Sequence, residues 1–300
     1  MTDLTGTVPA PAGVRTGDHA LVRLGRIVAR DRALTAASLM LGLLVFLAVF
    51  GPLLWRKDPL AVDLLAALEP PSAAHPMGTD NVGRDVFARF NEGAQISLAV
   101  GAIVVVTGAV VGGAVGLVAG VFGGWLDTFL MRVMDAILAF PPLILAMVVT
   151  VGLGNGIVTA AIGITLTAVP YYARLIRSDV IRVRSLPFVE AASALGASSP
   201  RIIVRHVLPH TVSTLFIQGS AVYGYAVLSL AALGFVGLGA QVPTPEWGSM
   251  ITDGLQYALT GQWWIGVFPG LGVLMATAAA SIIADRARDI LDPRGHYAYV

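Results

Sequence analysis

Residues 136–173 read AILAFPPLILAMVVTVGLGNGIVTAAIGITLTAVPYYA, 38 consecutive positions without Asp, Glu, Lys or Arg. About 20 apolar residues suffice to cross the hydrocarbon core of a bilayer as a helix, so the run is long enough for two crossings. Its middle carries Gly152-Leu153-Gly154-Asn155-Gly156, a cluster that favours a turn over a continued helix. The stretch therefore predicts two membrane helices joined by a turn.

Four further charge-free runs flank it, at 33–55, 93–126, 206–245 and 254–284. Together they predict an all-α integral membrane protein of six spans, near 34–55, 97–120, 130–151, 156–176, 212–238 and 263–284. The composition agrees. Hydrophobic residues make up 56% of the 300 and charged residues 12%, about half the ~25% usual in soluble domains. Mean hydropathy is +0.79. The absence of cysteine excludes disulfides, thiolate metal sites and a cysteine nucleophile. A net charge of +1 gives no footprint for nucleic acid. Lys57 is the only lysine and no Gly-Lys-Ser/Thr occurs, so the chain carries no phosphate-cradling P-loop. Any ATP chemistry belongs to another polypeptide.

Basic residues set the orientation, because they accumulate on the cytoplasmic side. With the N-terminus inside, 15 arginines fall in cytoplasmic segments, against Arg56, Lys57, Arg84 and Arg89 outside. Both ends then face the cytoplasm. The expected organisation is a cytoplasmic tail over 1–33, a first span over 34–55 and an extracytoplasmic loop over 56–92. A transmembrane core follows over 93–285, with a cytoplasmic loop at 186–210, and then a tail over 286–300. A cleaved signal peptide would have a shorter apolar core than 33–55 and a small-residue cleavage site, so an uncleaved span is the better reading.

In the second span, Gly108, Gly112, Gly116 and Gly120 recur every four residues. That spacing stacks them into one smooth ridge, which lets another helix backbone approach closely. The ridge suits packing within the bundle, with a subunit contact as the alternative. Pro141-Pro142 and Pro269 are expected to kink the third and sixth helices.

The cytoplasmic loop reads LPFVEAASALGASSPRIIVRHVLP over Leu186–Pro209. Pro187 suits the first turn of a helix, and Glu190 in that turn complements the helix dipole. Ala191, Ala192 and Ala194 keep the helix slim, and Gly196 can end it. A second apolar-basic helix is expected over Arg201–Val207. Such a helix-turn-helix is shaped for a groove on a partner, although an amphipathic segment without function is the other reading of the residues alone.

This string resembles the EAA loop of ABC importer permeases at Glu190, Ala191, Ala192, Gly196, Leu208 and Pro209. Three further blocks are similar to the peptide/nickel branch: His75–Asp80 with Gly83–Arg89, Leu233–Gly239 with Pro243–Met250, and Arg288–Arg294. In their order along 75–294 they identify the chain as a member of the dipeptide/oligopeptide (peptide/nickel) ABC transporter permeases, C-type subunit. Asn91-Glu92-Gly93-Ala94-Gln95 departs from the family pattern, which often has an aromatic and an Arg there.

The resemblance implies a type I ABC importer permease fold in a bacterial inner membrane and an ATP-driven, binding-protein-dependent import of di- or oligopeptides. It implies a second homologous permease subunit, two ATPase subunits holding ATP and Mg, and an extracytoplasmic solute-binding protein. Glu190, Ala191, Ala192, Gly196, Arg201, Arg205, Leu208 and Pro209 would transmit the ATPase motion. No cofactor and no catalytic residue are expected in this chain. Nickel, haem or a glutathione-like solute remain alternatives within the same fold.

Other readings are weaker. A secondary transporter would keep ionisable groups at mid-membrane, and the span centres have none. An intramembrane hydrolase would need a base level with one of the span serines, and none is found. His206 and His210 lack a Glu base and a third ligand for a metal. His75 is expected to be a structural hydrogen-bonder, and Arg132 is expected to pair with Asp135 on one helix face. Phe216, Gln218, Tyr223 and Tyr225 are candidate pathway residues, with ordinary packing as the alternative. Glu246-Trp247 and Trp263-Trp264 are expected at the external mouth, the tryptophans as interfacial anchors and Glu246 as a possible docking point for the binding protein.

Overall fold

The computed structural model describes residues 31–187, 189, 201, 203, 205 and 208–291. Among these the ordered elements are helical: α1 (Arg32–Leu54), α2 (Val86–Phe122), α3 (Gly124–Leu138), α4 (Pro142–Leu153), α5 (Ile157–Arg184), α6 (Leu208–Phe235), α7 (Trp247–Ala258) and α8 (Trp264–Leu291), with a short 3-10 turn at Leu64–Ala66. Five helices are long and apolar enough to cross a membrane, or six spans if α3 and α4 count as one.

That qualification corrects the expected third span at 130–151. The chain bends by 90° between α3 and α4. Pro141 has no N–H to continue a helix, and a residue followed by proline is pushed out of the α region; Pro141 itself adopts φ −55°, ψ 126° before Pro142 opens α4. With 12 residues, α4 is about 18 Å long, short of the ~30 Å hydrocarbon thickness.

A second difference lies at the start of α2, which begins at Val86 rather than near 97. Asp85 caps it, its side chain accepting from the Ala88 N–H. Arg89, taken from its charge to be outside the helix, is 4% exposed and lies 3.5 Å from Asp80. A buried, paired arginine does not have to face water. The helix therefore runs 37 residues.

α2 and α5 are the centre of the bundle. The ridge glycines face α5: a Cβ on Gly112 would lie 2.5 Å from the Val169 carbonyl oxygen, one on Gly116 would strike that of Ala173, and one on Gly120 would lie 2.8 Å from Val180. Gly108 faces Tyr172 in the same way. Lipid tails are as apolar as leucine, so this close packing stabilises the pair where hydrophobic burial alone gives little. Val104, Ile164, Tyr172 and Leu230 close the middle of the core between α2, α5 and α6. Leu44, Phe90, Trp247 and Ile265 close its outer end.

Candidate functional site: an outer collar, a central groove and a cytoplasmic face

On the extracytoplasmic side, the blocks His75–Arg89 and Gly234–Met250 fold against one another. Asp80 accepts from the Arg84 Nε at 2.6 Å and from the backbone of Val82 and Arg84. Asp85 receives His75 Nδ1 at 2.9 Å and Lys57 at 3.4 Å. Trp264 donates to the Thr79 carbonyl at 3.0 Å and Trp247 to that of Phe90 at 3.2 Å. The loop before α2 is thus bound to the start of α8, and the start of α2 to α7.

Glu246 is the deepest polar group of this collar. It caps α7, accepting from the N–H groups of Gly248 at 2.8 Å and Ser249 at 3.0 Å, with Ser97 of α2 at 3.5 Å. Gly234 leaves room for it, since a Cβ there would collide with the carboxylate. Burial pushes the Glu246 carboxyl up to about 7, against the downward pull of those hydrogen bonds. The expected placement at the mouth is corrected here. Glu246 and Trp247 are 0% exposed and Trp264 6%, because each satisfies its polar atom inside the collar. Among the four residues only Trp263, 51% exposed, is free to face an interface.

Midway through the molecule, the four polar or aromatic residues of α6 divide between faces. Phe216 and Tyr223, seven residues apart, line a groove of about 390 Å³ with Ser220, Val105, Val106 and Leu41. The Tyr223 hydroxyl donates to the Leu98 carbonyl at 3.4 Å. Tyr225 instead packs against the central core, its hydroxyl buried without a hydrogen-bond partner among the described residues. Gln218, half-buried, does not line that groove.

The cytoplasmic face is organised by arginines of α5. Arg177 grips Asp127 of α3 through two hydrogen bonds, at 2.5 and 2.6 Å. Arg174 binds Asp135 at 2.6 Å. The expected Arg132–Asp135 pair is therefore replaced: Asp135 faces α5, and i,i+3 spacing makes a pair available without making it the better partner. Arg184 donates to the carbonyls of Gly120 and Val121 at 3.1 and 2.5 Å, satisfying acceptors that the end of α2 leaves open. Just beyond, Val189 is buried with Ile176, Val180 and Val183, so the chain entering the loop is packed onto α5. The first charged pair was visible in the sequence only as isolated charges; the long-range partner was not.

Glu190, Ala191, Ala192, Gly196 and His206 lie outside the described residues, as do the side chains of Pro209 and His210. Arg201 and Arg205 are exposed, and Leu208 is 40% exposed. His75 takes the hydrogen-bonding position described above.

Residues 112–296 match the family described as binding-protein-dependent transport system inner membrane component. The chain is 40% identical over 258 residues, 86% of each protein, to the probable D,D-dipeptide transport system permease protein DdpC of Escherichia coli. It is 40% identical to the dipeptide transport system permease protein DppC of Alkalihalophilus pseudofirmus, over 83% of this chain and 82% of that protein. It is 38% identical to the glutathione transport system permease protein GsiD of Escherichia coli, over 95% and 93%. In fold it resembles a chain of the MetNI methionine ABC transporter, with a TM-score of 0.53 and 21% identity over 67% of this chain and 95% of that one. The chain belongs to the binding-protein-dependent transport system inner membrane components, as a multi-pass permease.

Proposed function

We propose that this permease forms half of the translocation pathway of an ATP-driven importer of di- or oligopeptides. A second, homologous permease supplies the other half, two ATPase subunits bind ATP with Mg on the cytoplasmic side, and a solute-binding protein delivers peptide from outside. The observation that carries the peptide assignment is the 40% identity to dipeptide permeases over more than four-fifths of the chain. Glutathione, handled by a 38% identical relative, is itself a peptide and lies within the proposed class.

In this reading the loop 186–210 seats in the ATPase, with Glu190, Ala191, Ala192, Gly196, Arg201, Arg205, Leu208 and Pro209 as its contact residues. Motion entering there reaches α5 through the buried Val189, then α2 through Arg184 and α3 through Arg177 and Arg174. Moving a two-state gate from 1:99 to 99:1 takes about 5.5 kcal/mol of differential binding, which ATP on the partner subunits supplies. Phe216, Ser220 and Tyr223 offer a mostly apolar surface with sparse hydroxyls, suited to weak contact with a passing solute. Gly196→Leu in the reconstituted complex is expected to keep membrane insertion and subunit assembly while abolishing peptide-stimulated ATP hydrolysis. Normal stimulation in that variant would remove the loop from the coupling route.

A further inference from the structure

We propose that α3 lies in the plane of the cytoplasmic leaflet and that Trp125, Phe129 and Arg132 on its outward face form a binding site for the headgroup of an anionic phospholipid. This goes beyond the transport reading and rests only on the membrane orientation of the chain.

The first observation is geometric. Arg174 and Arg177 of α5 hold Asp135 and Asp127 of α3. α4 lies against α5, with Gly163 facing the Ala146 carbonyl and Ala146 packed with Ala160 and Ile164. The 90° turn between α3 and α4 therefore sets α3 across α5. Because α5 descends to the cytoplasmic side, a helix crossing it near Arg177 runs along the inner surface of the bilayer.

The second observation is chemical. At 100° per residue, Asp127, Met131 and Met134 fall on the face turned to the protein. Met134 is 6% exposed and packs with Val169 and Ala173. Trp125, Arg132 and Phe129 fall within about 60° of one another on the opposite face. Trp125 is 78% exposed and Phe129 57%; Arg132 is also exposed. Aromatic rings at headgroup level beside an arginine are the composition of an in-plane interfacial helix.

Charge selects the lipid. Both aspartates of α3 are occupied by arginines of α5, and Arg132, deprived of Asp135, has no ion-pair partner among the described residues. The outward face therefore presents a single cation, complementary to the anionic lipids of the cytoplasmic leaflet. Its phosphate would lie against the guanidinium, with acyl chains along Trp125 and Phe129.

The test uses the full chain co-assembled with its partner subunits in nanodiscs. Tryptophan fluorescence is read with brominated phosphatidylglycerol or brominated phosphatidylcholine, and Trp125→Phe isolates the Trp125 signal. The expected result is at least twofold greater Trp125 quenching by the anionic lipid, falling to parity in Arg132→Gln and retained in Arg132→Lys. Equal quenching by both lipids in the wild type overturns the headgroup site. Protection of Trp125 from both lipids also overturns it, and assigns the face to a contact with the second permease.

Discussion

The side-chain amide of Gln95 donates to the Ala48 carbonyl at 2.6 Å, and Ala48 stands four residues before Pro52 inside α1. Proline has no N–H to give, so it leaves open the carbonyl at i−4. Gln95 of α2 fills that vacancy from the neighbouring helix. One turn nearer the surface, Gly51 packs directly against Asn91. Gln95 and Asn91 both belong to the stretch that departs from the family pattern, and both serve the joint between α1 and α2. Interhelical hydrogen bonds in membranes contribute about 0.6 kcal/mol on average and up to about 1.7. Gln95→Leu is expected to lower thermal stability by that order. In a Pro52→Ala background, where residue 52 supplies its own N–H, the same substitution should cost much less. A double-mutant cycle on the detergent-solubilised protein measures the difference.

Gly116 marks the closest approach of α2 to α5, with a Cβ position already occupied by the Ala173 carbonyl. Gly116→Val requires the two backbones to separate and undoes packing along the ridge. Overpacked sites usually cost about 1–3 kcal/mol, and the obstruction here is backbone rather than a flexible side chain. The expected outcome is a large fall in melting temperature. Gly113→Ala, at a position with open space around it, is expected to keep or raise stability, by up to about 1 kcal/mol, since alanine favours the helix. A thermal scan of both variants checks the contrast.

The Glu246 carboxyl, raised by burial to about 7 from an ordinary 4.5, makes a signed prediction about pH. A raised carboxyl favours the protonated folded state. Its contribution is fully present below pH ~4.5 and is lost as pH rises through ~7. Glu246→Gln keeps a neutral side chain at all pH. The variant should match the wild type at pH 5 and exceed it at pH 8, by at most roughly 3 kcal/mol. A stability difference that stays constant from pH 5 to 8 would show that Glu246 does not titrate there.

Asp127 and Arg177 hold α3 to α5 with side chains 16% and 34% exposed. Partial exposure limits such a pair to about 1 kcal/mol. Arg177→Asp alone places like charges together and should destabilise the protein by more than loss of the pair alone. Combining it with Asp127→Arg should recover at least half of the loss. Stability of the single and double variants, measured at low and high salt, tests the pairing, and high salt should narrow the gaps.

The sequence already showed most of the spans, because absent charge reports directly on transfer into hydrocarbon. It showed the glycine ridge as well, since a four-residue repeat states its geometry. The break after α3 was only half legible: Pro141-Pro142 announced a kink, but apolarity around it looked the same as in a straight span. Arg89 and Glu246 were assigned to water because a sequence displays charge and conceals the partner that permits burial. Asp80 provides that partner to Arg89 across a turn of the loop, and Ser97 provides it to Glu246 from 149 residues away. Asp135 was misassigned for the same reason, the nearer arginine being visible and the better placed one lying 39 residues away.

The central claim is that this permease carries peptide inward on the energy of ATP hydrolysed by its partners. The direct measurement is uptake of a radiolabelled dipeptide by proteoliposomes containing both permeases and both ATPases, with peptide-loaded binding protein on one side and ATP on the other. Uptake is expected to require ATP, the binding protein and this chain together. ATP-dependent uptake that persists without this chain, or peptide uptake driven by an ion gradient in the absence of ATP, would contradict the account.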